Sequence, residues 1–179
     1  MGERLASPRD AGDSARSELV DVVFRRHYHA LLRLAFVMVG DRGVAEDAVQ
    51  DAFVSLHRNS RKLRDPDAAE AYVRSAVLNR CRSWVRRQAT QRAKRPLLLV
   101  PDAPPRGPED TTVARDEVGS LVTAMRTLPR RQREALACRF VLELSVAETA
   151  ELLDISEGSV KTHTHRGLQA LQQGTEVNR

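Results

Sequence analysis

The residues able to do chemistry are numerous, but their spacing does not suit catalysis. The sequence has no Gly-x-x-x-x-Gly-Lys phosphate loop, no Gly-x-Ser-x-Gly nucleophile turn and no His-Glu-x-x-His metal pair. His163 and His165 are two apart, as are His27 and His29, and a helix turns such pairs to different sides, so neither pair is expected to hold a metal. Cys81 and Cys138 are far apart and neither belongs to a Cys-x-x-Cys pair. A disulfide scaffold and a cysteine zinc site are both disfavoured, and a reducing cytoplasm fits. No catalytic residue, metal or cofactor is expected. Recognition chemistry remains. Of 29 basic residues, three are Lys (Lys62, Lys94, Lys161) and the rest are Arg. The guanidinium fork suits bidentate contact with phosphate and base edges. A bias toward GC-rich codons would also raise Arg, but it does not explain where the charge sits.

The charge falls on three faces. Residues 44–57 hold Glu46, Asp47 and Asp51 and no Arg or Lys; Asp47, Gln50, Asp51 and Val54 recur at steps of three and four, away from the apolar stripe. This is either a solvated face with one stray Val or a protein-docking face. Residues 61–94 hold ten Arg or Lys against three acids. There Ser75, Asn79, Arg82 and Arg86 share one side of a helix, flanked by Arg74, Arg80 and Arg87 and preceded by a loop with Arg61, Lys62 and Arg64. A basic helix beside a basic loop is a nucleic-acid footprint, although a solvated Arg face would look alike taken alone. Tyr72 and Trp84 read as core by spacing, and either could show a ring edge for stacking. The third face is Lys161, Thr162, His165 and Arg166 near the C-terminus, opposite an apolar stripe.

The elements that must position these faces are helices. Aromatic residues are 4% of the chain and β-branched alternation is scarce, whereas apolar residues recur at helical spacing, so the class is all-α. One stripe is Val20, Val23, Phe24, His27, Leu31, Leu34, Ala35 and Met38, ended by Gly40-Asp41-Arg42-Gly43. A second is Ala45, Ala48, Val49, Ala52, Phe53 and Leu56. Asp65-Pro66-Asp67 reads as a loop, and a third stripe runs Ala69, Tyr72, Val73, Ala76, Val77, Cys81, Trp84 and Val85. Residues 96–108 carry five prolines and read as an extended linker. Its run Leu97-Leu98-Leu99-Val100 either rests on a domain or anchors in a partner's channel. Beyond it, Val118, Leu121, Val122 and Met125 share a face, Pro129 opens a helix carrying Leu136, Ala137 and Phe140, and Ser145-Val146-Ala147-Glu148 reads as a capping box. A turn at Asp154-Ile155-Ser156 leads to a last helix with Val160, Thr164, Gly167, Leu168 and Leu171 inside. A short helix, a tight turn and a second helix make a helix-turn-helix. The expected organisation is two small helical domains, 18–88 and 115–172, joined by a flexible Pro-rich linker over 89–114, with disordered tails at 1–17 and 173–179. With 41% hydrophobic residues and no apolar run near the ~20 residues of a bilayer span, no membrane insertion is expected. The polar N-terminus is not a signal peptide, and no further domain is expected after Arg179.

Three stretches resemble one family. Ala45-Glu46-Asp47-Ala48-Val49-Gln50-Asp51-Ala52-Phe53 is similar to the most characteristic motif of region 2 of extracytoplasmic-function (ECF) RNA polymerase sigma factors. Leu128-Pro129-Arg130-Arg131-Gln132-Arg133-Glu134 resembles the start of their region 4. Ser156-Glu157-Gly158-Ser159-Val160-Lys161-Thr162-His163 resembles their recognition helix, and the continuation through Leu168 looks closest to the actinobacterial SigE-like branch. The resemblance implies roles. Glu46, Asp47, Gln50, Asp51 and Val54 would grip the clamp helices of the polymerase largest subunit. Arg61, Lys62, Arg64, Tyr72, Ser75, Asn79, Arg82 and Arg86 would read and melt the −10 element. Ser159, Lys161, Thr162, His165 and Arg166 would read the −35 element. Core RNA polymerase and promoter DNA are the implied partners, with an anti-sigma factor as a further candidate. Ser83, Leu168 and the loop near 60–68 depart from the commonest family pattern and bear on the −10 preference. Two competing readings are a dimeric helix-turn-helix regulator, which leaves residues 18–88 unexplained, and a decoy that binds polymerase or an anti-sigma factor without reading DNA.

Overall fold

The computed structural model describes residues 8–60, 65–94 and 112–176, and all its regular elements are helical. Arg61, Lys62 and Arg64, and the run Leu97–Val100, lie outside the described residues. Three long helices form the N-terminal bundle: α1 (Pro8–Val39), α2 (Arg42–Asn59) and α3 (Pro66–Lys94). The expected stripes are what they bury. Leu31, Leu34 and Met38 of α1 meet a core that includes Val49 and Leu56 of α2 and Val73 and Val77 of α3. Phe24 stays partly exposed at the bundle's edge, its ring edge-on to Phe53 at 4.9 Å and tilted on Tyr28 at 4.7 Å.

The boundaries follow local chemistry. Gly40 ends α1 at φ +72°, a left-handed conformation that glycine adopts without strain, and its N–H donates to the Phe36 carbonyl at 2.7 Å. Asp41 caps α2, its carboxylate accepting from the Val44 N–H at 2.9 Å. Two expectations need correction. Helix α1 begins at Pro8, so the tail expected over 1–17 is helical from that residue. Proline suits a first helical position, and the Ala, Arg and Glu that follow favour helix without needing an apolar stripe. Likewise Pro66 and Asp67 belong to α3 and not to a loop, with Asp65 just outside accepting the Asp67 N–H at 3.2 Å. Helices α3 and α4 also run into the expected linker, to Lys94 and from Thr112.

The C-terminal bundle comprises α4 (Thr112–Thr127), α5 (Arg130–Leu136), a π-helical segment continuing it over Ala137–Val141, α6 (Val146–Leu153) and α7 (Glu157–Glu176). The capping box at α6 is present in both directions: Ser145 Oγ accepts from Glu148 N–H at 3.1 Å, and Glu148 Oε2 accepts from Ser145 N–H at 2.7 Å. Those bonds hold the Glu148 carboxyl below its ordinary range. Asp154 makes the tight turn in the left-handed region, and Ser156 accepts the Ser159 N–H at 3.2 Å at the head of α7. Gly167 of α7 lies so close to α5 that a Cβ there would meet Leu136 Cδ1 at 2.8 Å. Phe140, expected inside, is 58% exposed. The π-helical turn inserts a residue into the helical phase and swings Phe140 outward. Leu121 and Leu168, also expected inside, are exposed.

The two bundles are packed together. One continuous core runs from Leu31 and Val77 to Met125 and Leu136, and α1 touches both α4 and the π-helical segment while α3 touches α6.

Candidate functional site

Helix α2 places Asp47, Gln50, Asp51 and Val54 on one exposed face, opposite the buried stripe Ala45 to Leu56. Val54 is 49% exposed, an apolar residue in water beside two carboxylates. Glu46 stands at the edge of the face in an i,i+4 ion pair with Arg42 at 2.9 Å. Arg80 of α3 reaches across to donate to the Asp51 carbonyl at 3.0 Å and to Ser55 Oγ at 2.9 Å. The Asp51 side chain remains 73% exposed. The face is therefore anionic, and it is secured to α3 at one edge, where Arg80 Nε also lies 3.7 Å from Asp51 Oδ2.

Helix α3 brings Ser75, Asn79 and Arg82 into one ladder. Asn79 Nδ2 lies 3.5 Å from Ser75 Oγ, and Arg82 Nη1 lies 3.4 Å from Asn79 Oδ1. Arg86 follows one turn on, exposed. Tyr72 is half-buried with its hydroxyl accepting from Asn59 Nδ2 at 3.0 Å, so the ring is tied to α2. Trp84 is half-buried and lines a small cleft with Met38, Arg126 and Arg133. Arg82 does more than face solvent: its Nε and Nη2 form a fork onto Glu134 of α5 at 2.8 and 3.0 Å.

Helix α7 is the second helix of the helix-turn-helix. Lys161, Thr162, His165 and Arg166 are exposed along one side, while Val160 and Gly167 are buried on the other. The Thr162 hydroxyl donates to the Gly158 carbonyl at 2.9 Å, leaving its oxygen lone pair outward. Ser159 is half-buried, its hydroxyl 2.9 Å from that of Ser156, so it serves the cap as well as the face. Lys161, His165 and Arg166 make no side-chain hydrogen bond or ion pair among the described residues, which leaves their donors to an outside ligand. The first helix of the motif, α6, shows only carboxylates, Glu148 and Glu151, with Asp154 at its end.

Sequence reasoning missed the residues at the seam between the bundles. The Glu134 side chain is fully buried, and Arg82, Arg130 at 3.6 Å and Arg131 at 3.1 Å all converge on it. Arg133 donates to the Met38 carbonyl at 3.1 Å and to the Leu128 carbonyl at 3.4 Å. Burial and nearby Arg126 lower its pKa from the usual guanidinium range. A buried Glu held by three arginines, two of its own helix and one of α3, carries no spacing signal, because the partner from α3 is 52 residues away. The cysteines are free and buried, and burial pushes both thiols up to about 12, as expected of packing groups rather than nucleophiles.

Two families match the chain, one over each bundle. Residues 23–91 match the family described as "Sigma-70 region 2", and residues 119–171 match "Sigma-70, region 4". The "ECF RNA polymerase sigma factor SigM" of Mycobacterium tuberculosis (strain H37Rv) is 32% identical over 146 residues, covering 82% of this chain and 71% of that one. The "RNA polymerase sigma-E factor" of Streptomyces antibioticus is 30% identical over 155 residues, covering 87% and 83%. Among solved structures, CnrH in complex with the cytosolic domain of CnrY has a similar fold, with a TM-score of 0.68 at 20% identity over 95% of this chain and 100% of that one. Two helical units matched in this order, with relatives of this similarity over most of their length, place the chain in the extracytoplasmic-function family of RNA polymerase sigma factors, alternative sigma factors that direct transcription initiation.

Proposed function

We propose that the three faces divide the work of a sigma factor among them. The face of α2, with Glu46, Asp47, Gln50, Asp51 and Val54, docks on core RNA polymerase. Helix α3, with Tyr72, Ser75, Asn79, Arg82 and Arg86, reads and opens the −10 element together with Arg61, Lys62 and Arg64. Helix α7, with Ser159, Lys161, Thr162, His165 and Arg166, reads the −35 element. The observation that carries this reading is the polar side of α7: Lys161, His165 and Arg166 with free donors and Thr162 with its oxygen outward, all exposed on the second helix of a helix-turn-helix.

The opposite charges of α2 and α3 support a division between one protein partner and one polyanion. Two units that each bind weakly become a bivalent reader of fixed spacing once docked on polymerase. Melting takes a base out of the stack at a cost of a few kcal/mol, which contacts to the single strand must offset. The chain needs no reaction chemistry of its own for any of these steps, and the reading is that of a non-enzymatic cytoplasmic factor. An anti-sigma factor is a further partner in this reading; one solved structure of similar fold is the sigma factor RpoE in complex with the anti-sigma factor NepR from Bartonella quintana.

The test of the α2 assignment is co-purification with core polymerase. Asp47→Arg with Asp51→Arg reverses the exposed charge without touching the buried stripe. The expected result is loss of core binding at unchanged helicity. Core binding at full strength would move the docking face elsewhere.

A further inference from the structure

The outer side of α1 takes no part in the three faces, yet it is strongly charged. From Val22 to Gly40 the chain has three arginines and two histidines and no Asp or Glu. His27 turns inward to Glu70. Arg25, Arg26, His29 and Arg33 turn outward, all exposed, on the side opposite the buried Leu31, Leu34 and Met38. None of these three arginines has a side-chain hydrogen bond or ion pair among the described residues, whereas Arg74, Arg80 and Arg82 of α3 each meet a carboxylate. A helix side that serves solvation alone usually alternates its signs. This one does not, until Asp21 and Glu18 precede it toward the N-terminus. Aromatic rings border the charge. Half-buried Tyr28 stands edge-on to His29 at 5.4 Å, half-buried Phe36 lies one turn beyond Arg33, and partly exposed Phe24 stands one turn before Tyr28.

We propose that this side of α1 is a further nucleic-acid surface, separate from α3 and α7, which holds a single strand by phosphate contacts from Arg25, Arg26 and Arg33 and by stacking at Tyr28 and His29. The chemistry fits a single strand better than its rivals. A guanidinium fork takes phosphate oxygens in pairs. An unstacked base lies on an aromatic or imidazole ring, whereas a base inside a duplex is already stacked and offers the rings nothing. An acidic protein surface would use the charge and leave the rings idle. At 1.5 Å per residue, Arg25 to Arg33 spans about 12 Å, so the surface takes a short stretch of strand. Stacking is sequence-tolerant and phosphate carries no sequence, so the contact holds the strand without reading it.

The experiment titrates the full chain with short fluorescent oligonucleotides of mixed sequence: single-stranded DNA, single-stranded RNA and duplex DNA. One variant combines Arg25→Gln, Arg26→Gln and Arg33→Gln, and a second combines Arg25→Lys, Arg26→Lys and Arg33→Lys to keep the charge. All three side chains are exposed, and melting temperatures check that the fold is kept. A third variant, His29→Cys, carries a photocrosslinker on the new thiol; Cys81 and Cys138 are buried and do not compete. The Gln variant is expected to bind single strands about tenfold more weakly, with a salt slope lower by about two, since each phosphate contact on a single strand contributes about 0.7. The Lys variant keeps the slope, duplex binding changes less than twofold, and the crosslinker at position 29 labels the strand. The arm that loses more, DNA or RNA, names the strand. Unchanged single-strand affinity and slope in the Gln variant would overturn the proposal. Equal loss on the duplex would also overturn it, by making the side a phosphate anchor with no use for its rings. Loss of co-purification with core polymerase at unchanged strand affinity would give the side to an acidic protein partner instead.

Discussion

Arg166 is the residue at which base reading and phosphate anchoring can be told apart. It is exposed on α7 beside Lys161, Thr162 and His165, and no protein group among the described residues occupies its fork. An Arg that reads a base edge contributes roughly 1–3 kcal/mol of discrimination at one position. One that holds phosphate lowers all affinities alike and changes the salt slope by about one. We expect Arg166→Ala to relax one position of the −35 site, measured by polymerase-bound footprinting on a set of −35 variants. A uniform loss with the preference unchanged would make Arg166 an anchor. The residues of this face were legible because a helix separates polar from apolar sides by spacing alone. Glu134 was not: nothing in Arg130-Arg131-Gln132-Arg133-Glu134 marks it as buried, and one of its partners, Arg82, comes from the other bundle.

At the scale of elements, the helices and their caps were readable and their phase was not always so. The stripe of α2 is buried residue for residue, and the capping box at α6 forms as its sequence implies. Phe140 departs because a π-helical turn shifts phase without any residue that announces it. The close approach of α7 to α5 rests on Gly167. Gly167→Ala would drive a methyl into buried Leu136, and overpacking of this kind costs about 1–3 kcal/mol. Thermal unfolding should show that loss, and −35 reading should weaken with it; an unshifted melting temperature would mean that the helices separate freely. Helix α1 holds a pH-dependent contact. His27 sits 2.9 Å from Glu70, yet burial outweighs that carboxylate and lowers the imidazole pKa from 6.5, with Arg74 and Arg26 acting in the same direction. A lowered histidine pKa means that the unfolded chain binds the proton more readily. Stability from His27 is then complete above about pH 6.5 and is lost as the pH falls through that value toward the lowered one. Melting temperatures should fall on mild acidification and fall less in His27→Gln. A rise on acidification would show that the pairing with Glu70 dominates.

The whole molecule differs most from what its sequence suggests. Proline punctuation separates two helical units, and that division matches the two family regions. Their packing into one core has no local signature, because it depends on contacts such as Arg133 to Met38 that join distant parts of the chain. A reader built from two units must hold duplex and single strand in turn. The basic residues Arg61, Lys62 and Arg64 are proposed to act in the opening step. Replacing the three with Ala should reduce transcription from a duplex promoter far more than from one already melted. Equal loss on both templates would leave them as phosphate anchors.

Promoter selection by this chain on core polymerase can be read from the transcripts it directs. Core enzyme with and without the purified chain is offered a library of duplex templates randomised over the promoter region, and the transcripts are sequenced. The account predicts that the chain enriches two short sequence blocks at fixed spacing, and that charge reversal at Asp47 and Asp51 abolishes the enrichment. Transcription with no enriched sequence, or one palindrome bound equally well without polymerase, would contradict it.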